Sequence, residues 1–322
     1  MLYRFADLNV QSEVPLPSLP VVSSGPATCA ILVDSPHRAG LAPEHWDHHW
    51  RSPDGWVLLS CARDGDAYRL GMPGLATFLI EDDGGTITCR PHQMLPPGTL
   101  EHLLIDQVLP RVLTQRGRLV IHAGCVATPQ GAIGFLGDSG AGKSTLCAEF
   151  ARAGHPLLGD DGILVRRAPA SGFEALATYP GLRLLPDPLA HLFDERAGAA
   201  PVAHYTEKRR LDRDSGGFTL ATGAEPLRAL YLLGAGPNLE IAPLPEREAF
   251  MALVRASFQL HLDDQERSRG LFERLGSLRD AIPVRRLSYP RELDRLGAVR
   301  CALLADVETL ASPASSGGCA CS

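Results

Sequence analysis

Ala132-Ile133-Gly134-Phe135-Leu136-Gly137, followed at once by Asp138-Ser139-Gly140-Ala141-Gly142-Lys143-Ser144-Thr145, is an apolar run that breaks into glycines and then into a helical pattern through Ala153. Gly137, Gly142, Lys143 and Ser144 occupy the fixed positions of G-x-x-x-x-G-K-[ST]. Each residue type has a physical reason. Glycines let the backbone wrap an anion with its N–H groups turned inward, and the following helix adds the positive end of its dipole. An ammonium at Lys143 reaches terminal phosphates, and a hydroxyl at Ser144 coordinates magnesium. The competing reading is a bare glycine turn into a helix. With a strand before it and a helix after it, residues 137–145 predict a nucleotide-phosphate site in an α/β fold. Gly154 is placed to end the helix.

Asp160-Asp161 follows Pro156-Leu157-Leu158-Gly159, 17 residues beyond Lys143 (160 − 143). That spacing allows one helix and one turn, so the pair ends the next strand. In an open sheet the loops at the carboxyl ends of neighbouring strands share a crevice. Two carboxylates there face a bound triphosphate: one can hold magnesium while the other accepts the proton of an incoming hydroxyl. Alone, Asp-Asp-Gly is good turn chemistry; beside this loop it reads as a site. His122, in Val120-Ile121-His122-Ala123-Gly124, is placed on the strand preceding the loop. It either orients a carboxylate or a phosphoryl group, or is a buried histidine satisfied by backbone. His155 reads as structural, closing the loop helix through its charge.

Of 31 basic residues only Lys143 and Lys208 are lysine, leaving 29 arginines (31 − 2). With abundant Ala, Gly and Pro, this is the bias of a GC-rich genome. Each surviving lysine marks a position where a compact ammonium could be wanted; chance survival is the alternative. Lys208, Arg209 and Arg210 form a basic cluster that reads as a phosphate or acceptor clamp, or as a solvated loop. Arg183, flanked by apolar residues on an expected strand, needs a partner, either a phosphate or a structural aspartate.

Outward from the loop, three parts are expected: a β-rich N-terminal domain over 1–117, a catalytic domain over 118–311, and a flexible tail over 312–322. Residues 11–26, rich in Pro and Ser, read as an extended connector or edge segment. From 54 to 92, short β-branched and aromatic runs broken by Asp-Gly and Gly-Gly predict antiparallel hairpins. Leu100, Leu103, Leu104, Val108 and Val112 give helical spacing over 98–117, with Pro110 expected to kink it. Residues 118–127 are expected to form one strand, 168–245 short strands and loops, and 246–261, 263–281 and 290–306 helices. His45 and His48 or His49, in Glu44-His45-Trp46-Asp47-His48-His49-Trp50, have helical spacing, but no zinc signature matches. That segment reads as aromatic packing or acceptor binding. Cys319-Ala320-Cys321 sits on the tail and is expected to be disordered.

The net charge of −6 argues against a nucleic-acid partner. No apolar run approaches ~18 residues, and Asp7 interrupts a start that lacks an apolar h-region. The expectation is a cytoplasmic protein with no membrane contact, whose eight cysteines are reduced thiols.

Together, His122-Ala123-Gly124, Gly137–Ser144 and Gly154-His155-Pro156-Leu157-Leu158-Gly159-Asp160-Asp161 resemble the HPr kinase/phosphorylase-like kinases. That family shows a His-x-Gly strand, a GDSGxGKS loop and a Gly-His…Asp-Asp pair at this spacing. The resemblance implies an α/β fold with the P-loop kinase core shared with ATP-dependent phosphoenolpyruvate carboxykinase, built on a mixed, twisted sheet. It implies Mg-ATP-dependent phosphorylation of a serine hydroxyl. Lys143 and Ser144 would then bind phosphate and magnesium, with Asp160 as general base, Asp161 as a metal-side carboxylate and His122 in support. It also leaves a homo-oligomer open. The chain departs from the family at Thr145, where the protein kinase has Glu, and at Pro180-Gly181-Leu182-Arg183-Leu184-Leu185-Pro186-Asp187, which stands where a Gly/Ile-rich signature linked to phosphorolysis is found. These departures point away from HPr as acceptor. They point toward the divergent tailoring kinases of peptide biosynthesis, including lasso peptide pathways, whose acceptor is a serine of a ribosomally made precursor peptide. Two other readings stay open: a kinase of a small-molecule alcohol, and a nucleotide-binding regulatory or assembly factor without kinase activity.

Overall fold

The computed structural model describes residues 1–34, 45–52, 54–92, 94–96, 98–169, 172–179, 181–193, 198–211, 216–260 and 264–311. The chain is a mixed α/β structure with several sheets. The first holds eight strands in the spatial order Leu2–Phe5, Leu8–Ser12, Cys29–Val33, Thr86–Pro91, Ala76–Glu81, Ala67–Met72, Val57–Asp64 and His48–Arg51. Cys29–Val33 lies parallel to both of its neighbours, and the remaining pairs are antiparallel. Alternating residues bury one face, as with Ala76, Phe78 and Ile80. The 11–26 segment does more than connect: Val14, Leu16 and Leu19 insert into this core.

The expected helix after the sheet is present but built differently. It runs as α-helix at Thr99–Leu103, π-helix at Leu104–Val108 and α-helix again at Leu109–Gln115. Pro110 has no N–H to donate to the carbonyl four residues back. The preceding turn widens instead, and the Leu109 N–H donates to the Leu104 carbonyl. A π-turn thus stands where a kink was expected. This helix buries Leu103, Leu104, Val108, Val112 and Leu113 in the N-terminal core. Val120, Leu164, Tyr179, Phe258 and Leu260 of the second half join the same cluster.

The second sheet is mixed, in the order Leu157–Gly159, Gly124–Thr128, Gly131–Leu136, Glu225–Ala235, Gly172–Ala177, Ile163–Ala168 and Leu119–Ile121. Val284–Tyr289 also pairs with Glu225–Ala235 and with Glu240–Pro243. Gly131–Leu136, Glu225–Ala235 and Val284–Tyr289 are mutually parallel. Leu157–Gly159 runs the same way, because it is antiparallel to Gly124–Thr128, itself antiparallel to Gly131–Leu136. Their carboxyl ends therefore gather at one edge.

The expected single strand over 118–127 is two strands, Leu119–Ile121 and Gly124–Thr128, in different parts of the sheet. His122 lies at the break between them and not on a strand. The chain breaks again between Leu157–Gly159 and Ile163–Ala168. The two breaks lie side by side, because Ile121 pairs with Ile163 and Cys125 with Gly159. The second bend coincides with Gly159-Asp160-Asp161-Gly162, where the sequence ends a strand, whereas the first interrupts a largely apolar run over 119–127 that hydrophobicity alone does not divide.

Other expectations are adjusted. Region 168–245 includes a helix at Pro186–Leu192. The 246–261 helix ends at Ala256, because Phe258 and Leu260 leave it to enter the N-terminal core. The last helices are Gln265–Ala281 and Leu296–Ala311. His48–Arg51 is an edge strand, so the helical spacing of its histidines does not apply. His48 meets Trp50 edge-on at 4.5 Å, and the Arg111 guanidinium lies 5.3 Å from the Trp50 ring centre. Glu44, the 312–322 tail, Cys319 and Cys321 lie outside the described residues. Among the described residues, the six cysteines are free thiols, and no helix is long and apolar enough to cross a membrane.

Candidate functional site

The loop of residues 137–142 leaves the carboxyl end of Gly131–Leu136 and enters the helix Lys143–Arg152. Gly137, Gly140 and Gly142 all take positive φ. At Gly142 the left-handed φ of 93° calls for glycine, and a Cβ would also displace the side-chain ends of Arg291 (2.8 Å to Nη1) and Tyr289 (2.9 Å to Oη). Lys143 is buried, and its Nζ donates to the carbonyls of Gly137 (2.7 Å) and Asp138 (3.1 Å). The ammonium is folded over the loop. Burial lowers its pKa below the ordinary lysine value, partly offset by Asp161 and Asp160.

Asp160 and Asp161 follow Leu157–Gly159 at the same sheet edge. They share a sequence but not an environment. Asp160 is fully buried, and its Oδ2 accepts the Arg183 backbone N–H at 2.9 Å. Burial and the neighbouring Asp161 charge push its pKa up to about 7, opposed by Lys208, the Arg183 backbone N–H and the nearby Ser144 hydroxyl. Asp161 has φ 73°, the left-handed region where side chains are strained. Burial would raise its carboxyl, but Lys208, His122, Arg183 and Lys143 around it together hold it well below the usual carboxylate range.

His122 explains how the Asp161 conformation is held. Its Nδ1 lies 2.7 Å from the Asp161 carbonyl. A carbonyl only accepts, so Nδ1 carries the proton. The ring also meets Phe258 edge-on at 5.9 Å, and burial lowers its pKa below 6.5, leaving it neutral at pH 7. Of its two sequence readings, His122 combines parts of both: it is satisfied by backbone, and that backbone belongs to the aspartate pair.

Arg183 sits on the strand Leu182–Leu184 and is almost wholly buried. Its partner is an aspartate: Nη1 donates to Asp106, and also to Asp161 Oδ2 at 3.3 Å. The guanidinium lies 4.0 Å from the Tyr179 ring centre. Arg183→Met is expected to destabilise the fold by about 3–5 kcal/mol, because it strands buried Asp106. Urea denaturation of the variant checks this.

The basic cluster disperses. Lys208 Nζ reaches within 3.9 Å of Asp161 Oδ2. Arg210 pairs instead with Glu101 (3.0 Å) and Ser18, tying the strand Arg209–Leu211 to the N-terminal helix, and Arg209 is exposed with a 3.4 Å bond to the Ala199 carbonyl. The chain's only two lysines therefore both lie near Asp161. His155 differs from expectation. It packs 5.3 Å from the Phe150 ring, and burial followed by Arg300 lowers its pKa. It fills space beside the helix end as a neutral ring.

A cavity of about 500 Å³ lies between these groups, lined by Ser139 to Thr145, His122, Asp161, Arg183 and Lys208. Asp160 is beneath it, outside the lining. The lining also includes His102, Asp106 and Gln107 from the N-terminal helix, and Leu185, Pro188 and Tyr205. None of these six is picked out by the sequence motifs. The one available signal was Asp106, an acid inside the apolar run Leu103-Leu104-Ile105-Asp106-Gln107-Val108, which must be paired if buried.

These residues suit Mg-ATP. The glycine loop offers a lysine and a helix N-terminus for phosphate. The Asp160 Oδ1 atom is buried without a hydrogen-bond partner, next to the Ser144 hydroxyl. That oxygen-donor pair suits a hard divalent cation.

No family model matches the chain, and no curated protein matches it. Among solved structures it is similar to the Hpr(Ser) kinase/phosphatase from Coxiella burnetii, at 12% identity and a TM-score of 0.34, over 59% of this chain and 90% of that one.

Proposed function

We propose that this protein is an Mg-ATP-dependent kinase that transfers the γ-phosphoryl group to a serine hydroxyl of a ribosomally made precursor peptide. The observation that carries the phosphotransfer reading is the meeting of Lys143, on a glycine loop at a helix N-terminus, with the Asp160–Asp161 pair beside one cavity. The peptide acceptor rests on the motif resemblance of residues 122–161.

Within this reading the two aspartates exchange the roles that the resemblance implies. Asp160, sealed beneath Ser144 with a free oxygen, is the metal-side carboxylate. Asp161, which lines the cavity, faces the acceptor. Ser144 and Asp160 would hold magnesium, which when bound would neutralise charge on the phosphates. Lys143 gives up the Gly137 and Asp138 carbonyls to bind phosphate oxygens, and Lys208 adds a second ammonium. Asp161 accepts a hydrogen bond from the acceptor hydroxyl and takes its proton as the new O–P bond forms and the bond from the γ-phosphorus to the β,γ-bridging oxygen breaks, releasing ADP. A carboxylate with a low pKa suffices, because in a loose transition state the proton leaves late and the main task is aim.

The reading is tested by calorimetric titration of ATP with and without magnesium, followed by tracing label from γ-labelled ATP. The expected result is Mg-dependent binding that Lys143→Met weakens at least about tenfold, with label recovered in peptide. Label in a small organic ester would move the acceptor to a small alcohol. Binding with no label transfer would replace the kinase with a nucleotide switch.

A further inference from the structure

The third carboxylate at the site comes from the N-terminal half of the chain. Asp106 sits in the π-helical turn Leu104–Val108, and such turns recur where a helix must present a side chain out of register. Its two oxygens are divided: Oδ2 lies 2.7 Å from His102 Nδ1, and Oδ1 accepts from Arg183 Nη1. Arg183 in turn contacts both members of the aspartate pair, Asp160 through its backbone N–H and Asp161 through the same Nη1. Tyr179 closes the stacking face of the guanidinium. Both carboxylates therefore meet the guanidinium at one nitrogen, Nη1, and the bond to Asp106 fixes where that nitrogen stands relative to Asp161.

We propose that Asp106 is a positioning residue for phosphoryl transfer: it anchors Arg183, Arg183 sets the Asp161 carboxylate, and the N-terminal helix thereby completes the catalytic site. Asp106 never needs to touch the acceptor. Removing its charge leaves Arg183 free to collapse onto Asp161 or to swing toward solvent, and either outcome misplaces the carboxylate. Nucleotide binding is spared, because Lys143 and Ser144 belong to a different element.

The inference rests on the kinase reading above, and the test separates the two. Asp106→Asn is expected to lower kcat at least about tenfold with KM for ATP within about twofold of wild type. Asp106→Glu is expected to recover part of the rate. The double variant Asp106→Asn/Arg183→Met is expected to be no slower than Arg183→Met alone, as members of one unit are non-additive. Val112→Ala, a core truncation on the same helix, supplies a loss of stability that leaves these contacts in place, and its kcat is expected to hold. An unchanged kcat in Asp106→Asn, an equal fall in Val112→Ala, or multiplicative effects in the double variant would overturn the proposal.

If the wild type transfers no phosphoryl group at all, the kinase reading fails, and the relay is still read by nitrogen NMR of the arginine side chains. The Arg183 guanidinium is expected to show separate, slowly exchanging Nη signals in wild type and in Val112→Ala. In Asp106→Asn they are expected to average. Signals unchanged by Asp106→Asn would overturn the relay whatever the activity.

Discussion

Asp161→Asn is expected to cut phosphoryl transfer by about 10²–10⁴ while leaving Mg-ATP affinity within about threefold of wild type. The asparagine has nearly the same shape, so the cavity keeps its form, but it cannot take the acceptor proton and presents one oxygen instead of two. It also withdraws the negative charge that Lys208, His122, Arg183 and Lys143 surround. Three cations near the phosphates then lose a counter-charge, so nucleotide affinity should hold or tighten slightly. Steady-state kinetics with calorimetry on the same preparation separates these effects. A loss of ATP binding in step with turnover would place Asp161 on the metal instead.

Asp160→Asn is expected to do the reverse: to stabilise the protein without nucleotide and to remove the magnesium dependence of ATP binding. Asp160 is fully buried, and its pKa is raised to about 7, far above that of an unfolded chain. A carboxyl with a raised pKa contributes stability only while protonated. That contribution is complete below about pH 4 and is lost as pH rises through about 7. Asparagine carries no such cost. The variant's melting temperature is therefore expected to exceed that of wild type by a few degrees at pH 8, with the difference shrinking toward pH 5. The depressed Asp161 acts in the opposite sense, losing stability on acidification, but below that window. Melting curves from pH 5 to 8, with and without Mg-nucleotide, provide the check. A constant offset at every pH would remove the titration of Asp160 from the explanation.

The features legible in the sequence were those whose chemistry is local. A phosphate loop needs glycines, a lysine and a hydroxyl at fixed spacing on contiguous chain, and a helix of set length delivers Asp160-Asp161 to the same sheet edge. The scarcity of lysine pointed to Lys208, which lies 3.9 Å from Asp161. What stayed hidden depends on partners chosen by the tertiary fold. Apolarity said that Arg183 must be paired, but Asp106 is 77 residues away, on the π-helical turn of the N-terminal helix. The break at His122 interrupts a largely apolar run that reads as one continuous strand. Phe258 and Leu260 continue a helical period, yet they leave the helix for a different core. Asp160 and Asp161, adjacent in sequence and identical in chemistry, differ only in which one the fold seals beneath Ser144.

The central claim is that this site moves a phosphoryl group from Mg-ATP to a serine of a peptide. Its most direct test incubates the purified protein with Mg-ATP and a set of Ser-terminated candidate peptides, and reads intact mass, with Asp161→Asn alongside. The account predicts a peptide mass increased by one or more phosphoryl groups with wild type and no increase with the variant, fragmentation placing the added group on serine. No increase on any peptide while Mg-ATP remains bound would contradict it.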